Sequence, residues 1–379
     1  MEKIISWTEA EVSHSARWQS ESNAAAPKRV VLVDDTLAAD AAYRLASEGV
    51  GMLWRGDFQN ARLLLQALTR RLDKQKKKNA ATPASALDAF HKHRAAQIQR
   101  ARILSLILIE LDAQYVVRLR RAPDVAAACE QAYGAAAGNL VVSLRELQGL
   151  IGAFEWRKKG VLVEALNEYI HPHYGVFSPV RGEYIGLVMR APLPANLEIA
   201  FDIGVGSGVL SAVLARRGVA KIIATDQDSR ALACATENLQ RMGLLNQVQL
   251  CAANLFPVDA PLAQLIVCNP PWLPAKANAP IEHAVYDPDS RMLKGFLTGL
   301  SAHLADDGEG WLILSDLAEH LGLRTRDELL GWINAAGLQV LGKIDVQPKH
   351  SKVFDKTDAL HAARARELTS LWRLAKQSQ

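Results

Sequence analysis

From Glu198 to the C-terminus, short apolar runs alternate with amphipathic stretches. The runs Glu198–Ile203, Lys221–Thr225, Val248–Ala252, Leu265–Cys268 and Gly310–Leu314 predict buried strands. Between them, apolar residues at helical spacing predict helices over Gly208–Arg217, Ser229–Met242, Ser290–Leu304 and Thr325–Ala336. Such alternation is the pattern of a parallel, doubly wound α/β sheet with helices on both faces. Leu338–Val346 then predicts a strand, Thr357–Arg366 a helix, and Thr369–Leu374 a last strand returning antiparallel beside the sixth. A seven-stranded sheet is expected.

Upstream the pattern differs. Gly160–Leu166 and Tyr169–Phe177 read as a hairpin, followed by Ser178–Tyr184 and a short apolar helix to Met189. Residues 1–28 are polar and alanine-rich and read as a loosely held arm, and Arg29–Val33 as a short strand or extended segment. Helical spacing runs from Thr36 to the glycines at 49 and 51. Asp57 is placed to cap a second helix carrying Ala61, Leu64, Leu65 and Leu68 on one face. Lys74–Ala86 reads as an exposed connection, Leu87 to about Leu119 as one continuous helix, and Pro123–Tyr133 and Leu144–Phe154 as two more. The expectation is therefore two domains: a mostly α-helical one over residues 1–150 and an α/β one over residues 151–379.

Composition narrows the class. Nearly half of the 379 residues are apolar, enough for sizeable cores. The four cysteines, Cys129, Cys234, Cys251 and Cys268, form no CxxC pair and read as buried free thiols, which favours a reducing compartment. The start of the chain has glutamates where a signal peptide would need lysines, and the apolar run Ile103–Ile109 is too short to span a bilayer. A cytoplasmic location is expected. The net charge of +4 is uneven: residues 62–124 hold 14 Lys/Arg against 5 Asp/Glu, a balance of +9, which leaves −5 for the remainder. A basic module beside a mildly acidic one suits a polyanionic partner such as RNA; solvated basic helix faces are the competing reading.

Two stretches carry chemistry. In Asp202-Ile-Gly-Val-Gly-Ser-Gly208 a strand hands over to a helix through three glycines, of which Gly204 and Gly206 let the backbone approach a ligand and Gly208 lets the helix begin against it. The spacing is GxGxG, whereas the dinucleotide fingerprint needs its third glycine one residue later. An aspartate before the glycines repels a pyrophosphate and attracts a cation, such as the amino group of S-adenosylmethionine. Asp226, at the tip of the next strand, is placed to accept from both hydroxyls of a ribose, or else to cap the following helix. Asn254, after the third strand, can pair with an adenine edge or serve only its turn.

The second stretch is Asn269-Pro-Pro-Trp272, at the end of the fourth strand. An amide or exocyclic –NH₂ is a poor nucleophile because its lone pair is delocalised. The Asn269 side-chain oxygen and the Pro270 carbonyl can accept its two N–H groups, draw the nitrogen towards tetrahedral geometry and aim its lone pair. Pro270 and Pro271 stiffen the tip, and Trp272 offers a face for a planar group to stack on. The acceptors also stabilise the positive charge that develops on nitrogen. No metal and no nucleophilic side chain are needed, and no metal site is expected. His171-Pro-His173 has no second ligand cluster and reads as part of a surface hairpin.

On these residues the second half, about residues 156–379, resembles the class I S-adenosylmethionine-dependent methyltransferases with an NPPY-type motif. It is most similar to the small-domain group, which includes ribosomal RNA guanine methyltransferases and the protein glutamine methyltransferases of release factors and ribosomal proteins. The resemblance implies a Rossmann-like fold, cofactor binding by Asp202, Gly204, Gly206, Gly208 and Asp226, and a substrate nitrogen gripped by Asn269, Pro270, Pro271 and Trp272. Val176–Tyr184 is similar to a segment that closes the cofactor pocket in that group, which implies roles for Arg181 and Glu183, and Tyr286-Asp-Pro288 resembles its acidic-Pro element. Trp272 stands where the family carries tyrosine, and Asn254 where it carries aspartate. The expected function is N-methylation of a planar nitrogen, with RNA, and ribosomal RNA in particular, as the leading substrate. A protein glutamine side chain is the alternative, and a non-catalytic cofactor-binding scaffold the third reading.

Overall fold

The computed structural model describes residues 3–78, 83–180, 182–195, 197–277, 280–349 and 351–377. The chain divides into two compact units, one of residues 1–84 with 91–155 and one of residues 85–90 with 156–379.

The first unit corrects the helical expectation: it is built on a six-stranded sheet. Its strands are β1 (Ile4–Glu9), β2 (Val12–Gln19), β3 (Val30–Val33), β4 (Gly51–Trp54), β5 (Ile107–Leu111) and β6 (Leu140–Ser143), in the order β1-β2-β6-β5-β4-β3. Helices α1 (Ala39–Ser47), α2 (Phe58–Lys78), α3 (Ala86–Leu104), α4 (Ala126–Tyr133) and α5 (Leu144–Lys159) lie between or after them. The polar arm is the β1–β2 hairpin, whose tryptophans Trp7 and Trp18 are buried. The long helix expected over 87–119 ends at Leu104, and its apolar continuation turns into β5. GMLW, ILIEL and LVVS are short, wholly or almost wholly buried runs, and a run of that length has no period by which to separate strand from helix. The cap at Asp57 is present: its carboxylate accepts from the Gln59 N–H at 2.9 Å and from Arg120 and Arg121. Of the expected connection Lys74–Ala86, residues 74–78 are the end of α2, and residues 79–82 lie outside the described residues.

The second unit holds the seven-stranded sheet. A small hairpin, β7 (Val161–Val163) with β8 (Glu168–Ile170), precedes helix α6 (Glu183–Arg190). Then come β9 (Ile199–Ile203), α7 (Val209–Arg216), β10 (Lys221–Asp226), α8 (Ser229–Arg241), β11 (Val248–Ala252) and β12 (Ala263–Cys268). The chain continues through α9 (Arg291–His303), β13 (Leu304–Ser315), α10 (Leu317–His320), α11 (Arg326–Ala335) and β14 (Leu338–Val346), and ends with α12 (Ser351–Phe354), α13 (His361–Arg364) and β15 (Thr369–Lys376). The sheet order is β11-β10-β9-β12-β13-β15-β14, parallel from β11 to β13, with β15 antiparallel to both its neighbours. Of the single helix expected over 357–366, the short α13 is formed, and α12 precedes it.

Alternation along β9 decides what the site is made of. Phe201 and Ile203 join the apolar layer under α9 and α11, while Ala200 and Asp202 face the layer formed by α6, α7 and α8. Both layers are closed by fully buried side chains, among them Leu187, Val213 and Leu239 on one face and Phe296, Leu300 and Leu329 on the other. A sheet covered on both faces leaves its carboxyl-end edge as the place where loops meet a ligand. The residues before His91 also belong here, because Ala89 and Phe90 pack with Leu273, Leu317, Leu321 and Leu360.

Candidate active site

The turn after β9 holds Gly204, Gly206 and Gly208 at φ of +78°, +52° and +85°. The N–H groups of Gly204 and Val205 both donate to the Thr225 carbonyl, which ties the turn to β10. A Cβ on Gly208 would stand 3.3 Å from the Ala235 Cα, so α8 can pack on the loop only over a glycine. A Cβ on Gly206 would meet only the Gly204 carbonyl, at 3.9 Å, so the loop is open on that side.

Asp202 lies behind the loop rather than on its surface. It is 1% exposed, and its carboxylate accepts from the Ser211 hydroxyl of α7 at 2.6 Å. Burial, against the Ser211 hydrogen bonds, pushes its carboxyl up to about 6, and the charge of Asp226 pushes the same way. Asp226 ends β10, accepts from the Gly206 N–H at 3.1 Å and the Asp228 N–H at 3.0 Å, and is also pushed up by burial. The helix-cap alternative falls to its neighbour: Asp228 accepts from the Arg230 N–H at the start of α8. Tyr184 of α6 is buried and held well above its ordinary value, first by burial and then by the charge of Asp202. Asn254 stands exposed at the bend after β11, next to Leu255, whose carbonyl accepts from the Thr225 hydroxyl.

A cationic ligand fits these residues. The glycine loop leaves room at Gly206, the Asp226 charge raises the cost of ionising Asp202 behind the loop, and Asp226 still offers lone pairs to a diol. A pyrophosphate would add negative charge to that pair and does not fit.

Register brings the second stretch to the same edge. Cys268 pairs with Ile203, so Asn269 leaves β12 at the level of Gly204. The Asn269 Oδ1 accepts from the indole Nε1–H of Trp272 at 3.0 Å. Trp272 therefore does more than offer a stacking face: it fixes which way the Asn269 amide points, and leaves one lone pair of Oδ1 for another donor. Its ring packs against the apolar layers of both sheet faces. Pro270 is buried, and Pro271 and Asn269 are half-buried. Beyond them, Leu273 bridges to Tyr286, with the Leu273 N–H donating to Val285 and the Asp287 N–H to Leu273. Asp287 in turn accepts from the Met292 and Leu293 N–H groups at the start of α9, so the motif is fastened to that helix. Glu183 is half-buried in the first turn of α6, and Arg181 lies outside the described residues.

The surface-hairpin reading of His171-Pro-His173 is corrected. Pro172 is buried, both histidines are half-buried, and the His173 ring pairs with Glu237 at 2.8 Å. Sequence reasoning also passed over Ser211 and Asn238. Asn238 carried a readable sign, as a polar residue in the buried stripe Ala231, Cys234, Ala235, Leu239 of α8.

A doubly wound sheet with a glycine turn, a β10 carboxylate and an Asn-Pro-Pro-Trp tip at one edge defines an S-adenosylmethionine-dependent methyltransferase domain. Residues 167–319 match the family model "Methyltransferase small domain". The chain is similar to the release factor glutamine methyltransferase of Cereibacter sphaeroides, 29% identical over 196 residues, covering 48% of this chain and 65% of that protein. It is also similar to the enzyme of the same name from Thermosynechococcus vestitus (32% identical, 41% of this chain, 53% of that protein). Over a shorter stretch it is similar to the ribosomal protein L11 methyltransferase of Pelotomaculum thermopropionicum (38% identical, 18% of this chain, 22% of that protein). The chain spans less than two thirds of the length of each of these relatives.

Proposed function

We propose that the protein transfers a methyl group to the side-chain amide nitrogen of a glutamine in a protein of the translation apparatus. The observation that carries this reading is Asn269 Oδ1, fixed by the Trp272 indole at the level of the cofactor loop. S-adenosylmethionine supplies the electrophilic methyl on a sulfonium. Asn269 Oδ1 and the Pro270 carbonyl accept the two amide N–H groups, which turns the nitrogen lone pair out of conjugation. The two prolines keep that pair of acceptors in place, so little freedom is lost on binding. As the N–C bond forms and the methyl–sulfur bond breaks, with S-adenosylhomocysteine as the leaving group, the same acceptors would stabilise the positive charge on nitrogen until one proton leaves to solvent.

The choice of a protein over RNA rests on two supports. The relatives matched over 196 and 162 residues are glutamine methyltransferases by name. In addition, five of the fourteen Lys/Arg in the basic stretch 62–124 face acids: Arg71 faces Asp40, Arg100 faces Asp73, Arg118 faces Asp112, and Arg120 and Arg121 share Asp57. Two of these acids, Asp40 and Asp57, lie outside the stretch and lower its balance from +9 to +7, whereas Asp73 and Asp112 are already counted in the +9. Such a substrate fits a cytoplasmic location, and no helix among the described residues is long and apolar enough to cross a membrane.

The test is transfer of tritiated methyl from the cofactor to cell extract, treated afterwards with protease or nuclease. Protease-sensitive label, recovered as N-methylglutamine after enzymatic digestion, is the expected result. Label removed by nuclease would replace the protein substrate with RNA, and no label at all would favour the scaffold.

A further inference from the structure

Helix α8 presents a row of side chains to the segment 171–174, the strap between β8 and the stretch leading to α6. Asn238 is fully buried, and its amide reaches two places at once. Its Oδ1 accepts from the His171 N–H at 2.8 Å, while its Nδ2 donates to the Ser207 carbonyl at 3.1 Å and to the His171 carbonyl at 3.4 Å. Ser207 is itself buried within the glycine loop. One side chain thus joins the peptide of the cofactor loop to the peptide of the strap.

The rest of the row holds the strap alone. The Cys234 Sγ accepts from the His173 N–H at 3.4 Å, and Glu237 pairs with the His173 ring, with Arg157 and with Arg241. Burial opposes the Glu237 charge, but its hydrogen bonds from Arg241, His173 and Arg157 win and bring its carboxyl down to about 2. The Arg230 guanidinium lies 5.7 Å from the Tyr174 ring centroid. These contacts fix the strap to α8, whereas Asn238 is the member that also holds the loop.

A buried amide is costly unless its donors and acceptors are met. Here the loop and the strap supply every oxygen and nitrogen partner among the described residues, with the Cys234 Sγ of α8 at 3.5 Å from Nδ2 as a weaker contact, so a displacement of either costs Asn238 hydrogen bonds that the sulfur does not replace. We infer that Asn238 is a positioning residue that couples the cofactor loop at Ser207 to the His171–Tyr174 strap, so that ligand on the loop orders the strap. The inference rests on the reading that the glycine loop holds S-adenosylmethionine.

Hydrogen–deuterium exchange of the full chain with and without S-adenosylhomocysteine tests it. In the wild type, saturating ligand should slow exchange at residues 204–208 and also at 171–177. In Asn238→Ala, ligand should bind at least about tenfold more weakly. At saturation it should protect 204–208 while leaving 171–177 unchanged. Glu237→Gln, which loosens the strap without touching the loop, should keep ligand-dependent protection in both segments. Wild-type ligand binding that protects the loop but not the strap overturns the coupling and leaves the cofactor reading intact, whether or not the alanine variant folds. Strap protection that survives in Asn238→Ala overturns it as well. Absence of S-adenosylhomocysteine binding to the wild type removes both.

Discussion

Asp202 makes the sharpest quantitative prediction. In the ligand-free protein its carboxyl sits at about 6, against an ordinary value of 3.8, because it is enclosed by apolar layers with Tyr184, Ser211 and the Asp226 carboxylate as its polar surroundings. A cationic ligand favours the ionised form, so binding should expel a proton below that value. At pH 5 about one molecule in ten carries the carboxylate, and at pH 8 nearly all do; affinity for S-adenosylhomocysteine should therefore be about tenfold weaker at pH 5. Ser211→Ala removes the hydroxyl that steadies the charge. A hydrogen bond to a charged group is worth about 1.5–3 kcal/mol, so the midpoint of the binding curve should rise by about one to two pH units. The same raised value has a signature without ligand. Between pH 3.8 and about 6 the fold holds a proton that the unfolded chain has released, so the contribution of Asp202 to stability is fully present below pH 3.8 and is lost as pH rises through about 6, by about 3 kcal/mol. Asp202→Asn should flatten that dependence. Isothermal titration from pH 5 to 8 in two buffers of different ionisation enthalpy counts the protons, and thermal melts follow the stability. A flat affinity across that range, or an unmoved midpoint in Ser211→Ala, would refute the electrostatic reasoning.

The remaining predictions are local. Asn269→Ala should lower kcat by about a hundredfold or more while leaving S-adenosylhomocysteine affinity within about twofold, as single-turnover kinetics and titration would show; equal activity would mean that the tip is misread. Trp272→Phe keeps an aromatic face but removes the indole N–H from Asn269, so kcat should fall about fivefold or more with little change in cofactor affinity. Phe90→Ala opens a cavity in the cluster behind Leu273 and should cost about 3–5 kcal/mol in chemical denaturation, with the loss in the transition of the second unit. A loss confined to the first unit would contradict the grouping of residues 85–90 with the second.

The strands and helices of the second unit were legible because their periods are long and repeated: β9 to β12 and β14 fall within two residues of the apolar runs that announce them, and β13 starts six residues before its run. Asn269-Pro-Pro-Trp272 and the three glycines were legible because local chemistry alone limits what such strings can do. The first unit was misread for the converse reason. Its strands are four to eight residues long, and the edge hairpin carries polar residues over buried Trp7 and Trp18. Its nonlocal pairings, such as β2 with β6, leave no mark at short range.

The local pattern of residues thus determined the sheet of the second unit, the glycine turn and the stiff Asn-Pro-Pro-Trp tip. Tertiary structure alone decided how those pieces act on one another. Alternation along β9 sent Asp202 inward to Ser211, where burial raises its affinity for a proton. The register of β12 against β9 set Asn269 level with Gly204. The fold of α8 over Gly208 put Asn238 between Ser207 and His171. Each of these depends on distances between residues far apart in the chain. Burial, charge and hydrogen-bond partners follow from those distances rather than from residue type.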